Sequence, residues 1–374
     1  MLTKEENERL ARVGPGTPAG EMLRRYWWPV GFSEQVASRG RPSAVRILGE
    51  DLVLFRDGVG APGLVGLHCS HRGTSLEYGR VEEVGIRCSY HGWLYDRAGR
   101  CLDQPAEPED STFRDRIRHP AYPVQELGGL IFAYLGPDPA PLLPRYDVLL
   151  QEGGARVMGA KFDHCNWLQG AENAVDQSHL PFLHASVYPS MAMKRPRVEW
   201  ERTWYGVKAT TRIPGIPTPK YSHLLFPSNN RVTTARVGTN PDHNIRWRVP
   251  VDDTKIANFW VNYYPHGEGE PGTVKVLGWR ANQPGVYERT EDGYWAVAST
   301  DQDRMAGETQ GVIMDRAAEH LGSSDRGVVL LRTMLLEAIQ AVRQGRDPIG
   351  IIRRVEDNAC ITFDAQMEEI AALA

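Results

Sequence analysis

The spacing of apolar residues divides the chain into stretches of different period. Between residues 327 and 344, Val328, Leu331, Leu335, Ile339 and Val342 recur at helical intervals, and Gly345 supplies a stop. Residues 44–56 instead read Ala-Val-Arg-Ile-Leu, Gly49-Glu50-Asp51, then Leu-Val-Leu-Phe-Arg, which predicts a β-hairpin around a glycine-containing turn. Short strands and turns continue to Leu135, the clearest over residues 129–135. A short helix is expected over residues 3–10, with Glu5, Glu6 and Glu8 near its positive end. A second starts at Thr17-Pro18, with threonine as cap and proline in the first position. It is expected to carry Met22, Leu23, Tyr26 and Trp27 and to end before Pro29. Further on come a helical segment over residues 166–184 and strand-like runs at 204–212, 231–237, 258–264 and 274–280.

Residues 136–144, Gly-Pro-Asp-Pro-Ala-Pro-Leu-Leu-Pro, propagate neither helix nor central strand and set a domain boundary. The 374 residues suffice for two cores. The expected class is α+β. A helical arm (1–40) would pack on the second domain, followed by a small all-β domain (41–144). A larger domain (145–374) would hold a largely antiparallel sheet covered by helices. A net charge of -4 gives no reason to expect nucleic acid or an anionic membrane as partner. No stretch approaches the roughly 20 apolar residues that span a bilayer, and the acidic start is neither signal nor transit peptide. Of five cysteines, Cys101, Cys165 and Cys360 stand alone in sequence, which fits reduced thiols and a cytoplasmic setting.

Candidate chemistry concentrates at Cys69-Ser70-His71 and Cys88-Ser89-Tyr90-His91: C-x-H, sixteen residues, then C-x-x-H. Each half pairs one thiolate with one imidazole, which suits a [2Fe–2S] cluster in which two histidines replace two cysteines on one iron. The competing reading is a structural Cys2His2 zinc site, which would group its cysteines and its histidines separately. With His71-Arg72-Gly73 and Tyr90-His91-Gly92-Trp93, the segment resembles the Rieske signature; it departs at Ser70, where that family usually has proline.

A second cluster of chemistry follows. Glu172, Asp176 and His179 fall at i, i+4 and i+7 and are expected on one helix face. His184 lies off that face, but Pro181 removes an amide from the ladder, and a kink there would bring both imidazoles onto one ion. Either histidine alone reads more readily as a satisfied structural residue; the pair, with a proline between them and an acidic helix face, favours a metal site.

Asn166-Trp167 followed by Glu172-x3-Asp176-x2-His179-x4-His184 resembles the mononuclear-iron motif of Rieske non-haem iron aromatic-ring oxygenases. Residues 16–27 and 303–326 look like the phthalate dioxygenase branch of their oxygenase α-subunits, so the resemblance spans nearly the whole chain. It implies a helix-grip-like catalytic domain and a 2-His-1-carboxylate iron site with positions open to dioxygen. His179 and His184 would be two ligands. The order Asp-x4-Glu-x-Gln at Asp303, Glu308 and Gln310 selects Asp303 as the third, with Asp301 as the alternative; both also read as solvated loop acids. Asp176 resembles the family's bridging carboxylate, accepting from His179 and from His91 of a neighbouring subunit. Electrons cross between subunits in this family, which implies a homotrimer or a stacked pair of trimers without a separate β-subunit. Asp315, Asp325 and Arg326 read as caps and ion pairs.

The implied function is a terminal oxygenase component. It would use O2 and electrons from a separate flavin/ferredoxin-type reductase to hydroxylate an aromatic carboxylate, by ring cis-dihydroxylation. No G-x-G-x-x-G or P-loop occurs, so NADH and flavin would act only through that reductase. The ligands do not separate dioxygenation from monooxygenation or aryl-ether O-demethylation. An iron–sulfur carrier or sensor would need only the first domain. Arg236, Arg246, Arg248 and Arg280 lie in or beside strands, where a guanidinium could clamp a carboxylate. Tyr263, Trp279 and Trp295 could line a pocket. Solvated sheet arginines and packed core aromatics are the competing readings.

Overall fold

The structure, a computed structural model, describes residues 2–234, 242–265, 272–287 and 299–363. Its contacts divide into two units, Arg24–Pro144 and Met1–Leu23 joined with Arg145–Ala374.

The first unit is all antiparallel β, in one three-stranded and two four-stranded sheets. The hairpin predicted over residues 44–56 forms between Ser43–Ile47 and Glu50–Arg56. Leu48 and Gly49 both take positive φ (50° and 77°), the two-residue turn whose twist matches the flanking strands. Tyr26 and Trp27 do not continue a helix. The helix stops at Leu23, and Trp27–Phe32 is a strand, entirely buried, paired with Leu130–Tyr134. Pro29 is tolerated because the register shifts between Pro29 and Gly31. This pairing puts residues 24–40 with the β unit, so the expected arm of residues 1–40 divides at Leu23. The core that bears on the site comprises Val53, Phe55, Val65, Leu76, Ile86, Trp93 and Tyr95, packed around Cys69, Cys88 and Cys101.

The second unit is built on an eight-stranded sheet. Its order is Arg197–Thr203, Gly206–Arg212, Lys220–Leu225, Asn229–Thr234, Asp242–Asp252, Lys255–Tyr264, Ala155–Asp163, Val274–Arg280. Every pairing is antiparallel except the last, where Ala155–Asp163 runs parallel to Val274–Arg280. Helix Trp167–Val175 lies on this sheet and is covered by helix Arg326–Arg343. The outer helix buries Leu331, Leu335, Ile339 and Val342, the predicted stripe, and ends at Gly345 with φ 72°. Helix Lys4–Ala11 opens with a capping box between Thr3 and Glu6, and Thr17 Oγ1 accepts the Gly20 amide as cap of the next helix.

Trp167–Val175 is buried on nearly all sides because it is sandwiched between sheet and helix. Its one buried carboxylate, Glu172, accepts from Arg316 (2.8 and 2.9 Å) and Arg332 (2.7 Å). Asn7 accepts a further bond from Arg316, which ties the N-terminal helix to the same network. Glu172 therefore does not share a face with Asp176 and His179. The helix has ended before Asp176, whose ψ of 99° is extended, and the indole of Trp200 donates to the free Val175 carbonyl at 2.9 Å.

Candidate metal centres

In the β unit, two loops repeat one frame. The Cys69 amide donates to the Thr74 carbonyl (2.9 Å), and the Gly73 amide returns to the Cys69 carbonyl (2.8 Å). The Cys88 amide donates to the Trp93 carbonyl (2.9 Å), and the Gly92 amide returns to the Cys88 carbonyl (3.1 Å). Each loop closes through a glycine at positive φ, 76° and 75°, where a side chain would be strained. Arg87 pins the second loop by donating to the Gly92 carbonyl at 2.5 Å while holding Glu82 and Asp103.

Both frames aim a buried cysteine inward and a less buried histidine beside it. The imidazoles of His71 and His91 lie 4.6 Å apart between centroids, and His71 stacks on Trp93 at 4.5 Å. Burial pushes the Cys88 thiol up, the amides of Tyr90 and His91 pull it down, and the neighbouring Cys69 thiol pushes it up again. Nδ1 of His71 is buried without a hydrogen-bond partner. Two converging thiols and an unsatisfied imidazole nitrogen form a donor set that fits a [2Fe–2S] cluster with mixed ligation.

In the second unit, the break after Val175 lets the chain turn. Asp176 Oδ1 accepts the Ser178 amide at 2.8 Å, and His179 then opens a short helix, Leu180–Leu183, that His184 closes. The turn comes at residues 176–178, upstream of the kink expected at Pro181. His179 Nε2 and His184 Nε2 lie 3.5 and 3.3 Å from Asp303 Oδ1, and the donor atoms of the three residues all fall within 4.8 Å of one another. Asp303 comes from helix Ser299–Thr309. Burial works against its charge, yet the His184 hydrogen bond and the His179, His184 and Arg246 charges hold its carboxyl well below the usual carboxylate range. Asp301, the alternative, faces elsewhere, 3.9 Å from Lys161 Nζ and 3.5 Å from Arg304 Nε. Asp176 Oδ2 stands 3.6 Å from His179 Nδ1, which has no hydrogen-bond partner of its own. Two imidazoles and one carboxylate oxygen converging on one point fit a facial iron site.

Two residues that sequence reasoning missed support this set. Gln302, fully buried, accepts at Oε1 from His184 Nδ1 (2.8 Å) and so fixes that ring's tautomer and direction. Asn173 donates to Asp303 at 3.1 Å and accepts from Arg248 at 3.2 Å. Neither carries a local sequence signal, since each is defined by a partner from another element.

Asp303 and Asn173 also form a wall of a cavity of about 220 Å³. Strand Asp242–Asp252 contributes Asn244, Arg246 and Arg248, with Trp260 and Arg280 from neighbouring strands. Burial lowers the Arg248 guanidinium to about 10, and Asn230, Asn173 and Ser228 occupy its hydrogens. Arg280 lies over the Trp260 ring, 5.2 Å from its centroid. The Arg246 guanidinium donates no hydrogen bond among the described residues. Of the other sequence candidates, Tyr263 is packed under Arg156 and donates to the Glu152 carbonyl, and Trp279 stacks on Phe162 outside the cavity. Arg236 and Trp295 lie outside the described residues.

Comparison with known proteins gives consistent matches. The Rieske [2Fe-2S] domain family matches residues 26–123, and the vanillate O-demethylase oxygenase C-terminal domain matches residues 164–329. The 5,5'-dehydrodivanillate O-demethylase oxygenase subunit of Sphingobium sp. is 36% identical over 402 aligned positions, covering 100% of this chain and 90% of that protein. Phenoxybenzoate dioxygenase subunit alpha of Ectopseudomonas oleovorans is 38% identical, covering 92% and 87%. Among solved structures, the QL mutant of NdmA of Pseudomonas putida CBB5 with theobromine superposes with a TM-score of 0.70 at 20% identity, over 87% of this chain and 94% of that one.

Proposed function

Because this chain belongs to the Rieske oxygenase α-subunit family, we propose that it is a terminal oxygenase hydroxylating an aromatic carboxylate with O2 and electrons from a partner reductase. The observation that supports the substrate class is the cavity beside Asp303, whose Arg246 guanidinium donates no hydrogen bond among the described residues.

Cys69, Cys88, His71 and His91 would hold the cluster, and His179, His184 and Asp303 the mononuclear iron. When bound, the cluster supplies single electrons and the ferrous ion activates dioxygen toward the substrate. The rest falls to the protein's side chains. Asp176 would accept from His179 and from His91 of a neighbouring subunit, joining the two imidazoles through one carboxylate in a homotrimer or stacked pair of trimers. Gln302 holds the His184 ring so that Nε2 faces the Asp303 oxygen. Arg246 would take the substrate carboxylate in a charge-assisted bond, and Trp260 would give the ring an apolar wall. A Cβ on Gly159 would sit 2.4 Å from the Trp260 ring, so glycine there leaves that indole its place.

The experiment that tests this uses anaerobically purified protein, a surrogate flavin–ferredoxin reductase, NADH and labelled O2. Aromatic carboxylates and methoxy-arenes would be screened by product mass. Two labelled oxygens in one product are expected. One labelled oxygen, or formaldehyde released with a phenol, would instead establish monooxygenation or O-demethylation, the reaction named for the Sphingobium relative. No product from any carboxylate would overturn the substrate class.

A further inference from the structure

Helix Trp167–Val175 releases the chain just before Asp176 and His179, and two contacts hold its last turn. Glu172, whose carbonyl accepts the final helical amide from Asp176 (3.0 Å), has its carboxylate between Arg316 and Arg332. The Val175 carbonyl has no acceptor role left inside the helix, and the Trp200 indole donates to it at 2.9 Å. Trp200 is half-buried and comes from Arg197–Thr203, an edge strand of the eight-stranded sheet. Its ring also meets helix Arg326–Arg343. A Cβ on Gly327 would stand 2.2 Å from the indole Nε1 and 2.7 Å from Cδ1 and Cε2, so the five-membered ring lies directly on the glycine. Gly327 does not take positive φ, so its backbone has no need of glycine, and alanine is the better helix former. What the missing side chain provides is room for the indole.

We propose that Trp200, seated on Gly327, is a positioning residue for the mononuclear iron site, fixing where and in which direction the chain leaves the helix. This rests on His179 being an iron ligand. A helix end whose last carbonyls lack partners frays or tightens into a 3-10 turn, and either change rotates the residues that follow. Asp176 is already extended, with ψ 99°, and its Oδ1 accepts the Ser178 amide, so little freedom separates the exit from His179. Gln302 aims the His184 ring. His179 Nδ1 has no hydrogen-bond partner, so the path of its backbone aims that ring, and Asp176 Oδ2 stands 3.6 Å away on the same short path. The indole thus acts through the Val175 carbonyl on one ligand and on the carboxylate beside it.

The test uses the full chain loaded with cluster and ferrous ion, and needs no substrate. Nitric oxide is added anaerobically, and electron paramagnetic resonance of the ferrous site is recorded with the cluster oxidised and silent. Release of ferrous ion to a chelator is timed on the same sample, and circular dichroism follows the fold. Trp200→Phe removes the N–H and keeps an aromatic ring. It should broaden the nitrosyl signal and speed iron release about tenfold, the lower end of what an outer-shell partner contributes to a metal site. Gly327→Ala should act in the same direction, and the double variant should release iron no faster than the faster single variant. A wild-type signal and release rate in folded Trp200→Phe overturns the proposal, even with a lowered melting temperature, which is all that a structural role would give. So does a Gly327→Ala effect that adds in full to that of Trp200→Phe, because it could not then act through the indole. Where Trp200→Phe does not fold, Gly327→Ala decides alone, since it displaces the indole without removing it, and wild-type behaviour there overturns the proposal. Wild-type protein that takes up no ferrous ion would overturn something else, the reading of His179 as a ligand.

Discussion

The two metal-binding regions solve the same problem in opposite ways. In the β unit, each loop is framed by hydrogen bonds spanning five residues and closed by one left-handed glycine, so the direction of its cysteine and histidine is set locally and twice over. In the sheet-and-helix unit the histidines come from a helix break, and Asp303 from a helix far downstream. The atoms that orient this set, Gln302 Oε1 and Asn173 Nδ2, reach it from different helices. A local frame survives changes elsewhere in the fold. A convergent one is only as good as the packing of the helices that carry it.

Changes of ligand should give the largest effects and keep the two regions apart. Asp303→Ala should lose the mononuclear iron and reduce turnover by more than about 100-fold, beyond the usual cost of an outer-shell change. Its cluster absorption should stay intact, and metal analysis with visible spectra checks both halves. Loss of the cluster in this variant would show that the regions do not assemble independently. Next comes Asp176→Asn, which should keep both metals yet lower turnover about 100-fold. Stopped-flow should find the cluster reduced normally and reoxidised slowly when substrate and O2 are added. Full activity would rule out a bridging carboxylate.

Glu172→Gln probes the packing beneath the convergent site. It leaves the buried Arg316 and Arg332 short of one carboxylate and should cost about 3–5 kcal/mol. Denaturant titration should show the tryptophan transition of the second unit moving down while cluster bleaching stays at its wild-type midpoint. Coincident shifts of the two would contradict the local-frame argument. Arg246→Met should weaken an aromatic acid by about 10–100-fold, the worth of a charged hydrogen bond of roughly 1.5–3 kcal/mol. The corresponding methyl ester should bind as before; equal loss for acid and ester would mean that Arg246 serves the fold. Gln302→Leu should give the smallest change, up to about tenfold faster iron loss to a chelator.

Much of the molecule follows from neighbours in sequence. Apolar residues at helical spacing and a terminal glycine marked Arg326–Arg343 within a residue at each end, because a helix is made of contacts three and four residues apart. The hairpin at 43–56 and the two Cys/His segments were legible for the same reason. The strand Asp242–Asp252 was legible too. Its alternation of Asn244, Arg246 and Arg248 toward the cavity with buried Ile245, Trp247 and Val249 is a strand signal that the reading of the sequence passed over. Trp27 and Trp28 were drawn into a helix, although their place depends on Leu130–Tyr134, a partner that local pattern cannot see.

The sequence by itself determined the helix Arg326–Arg343, the hairpin at 43–56 and the candidate donor residues, since periodicity, turns and residue types are properties of short segments. Only the tertiary structure decided which acid faces His179 and His184, that Glu172 pairs with Arg316 and Arg332, and that Gln302 and Asn173 orient the set. A carboxylate's role depends on which distant charges and hydrogen bonds meet it in space, and that is fixed when helices pack on a sheet, not along the chain.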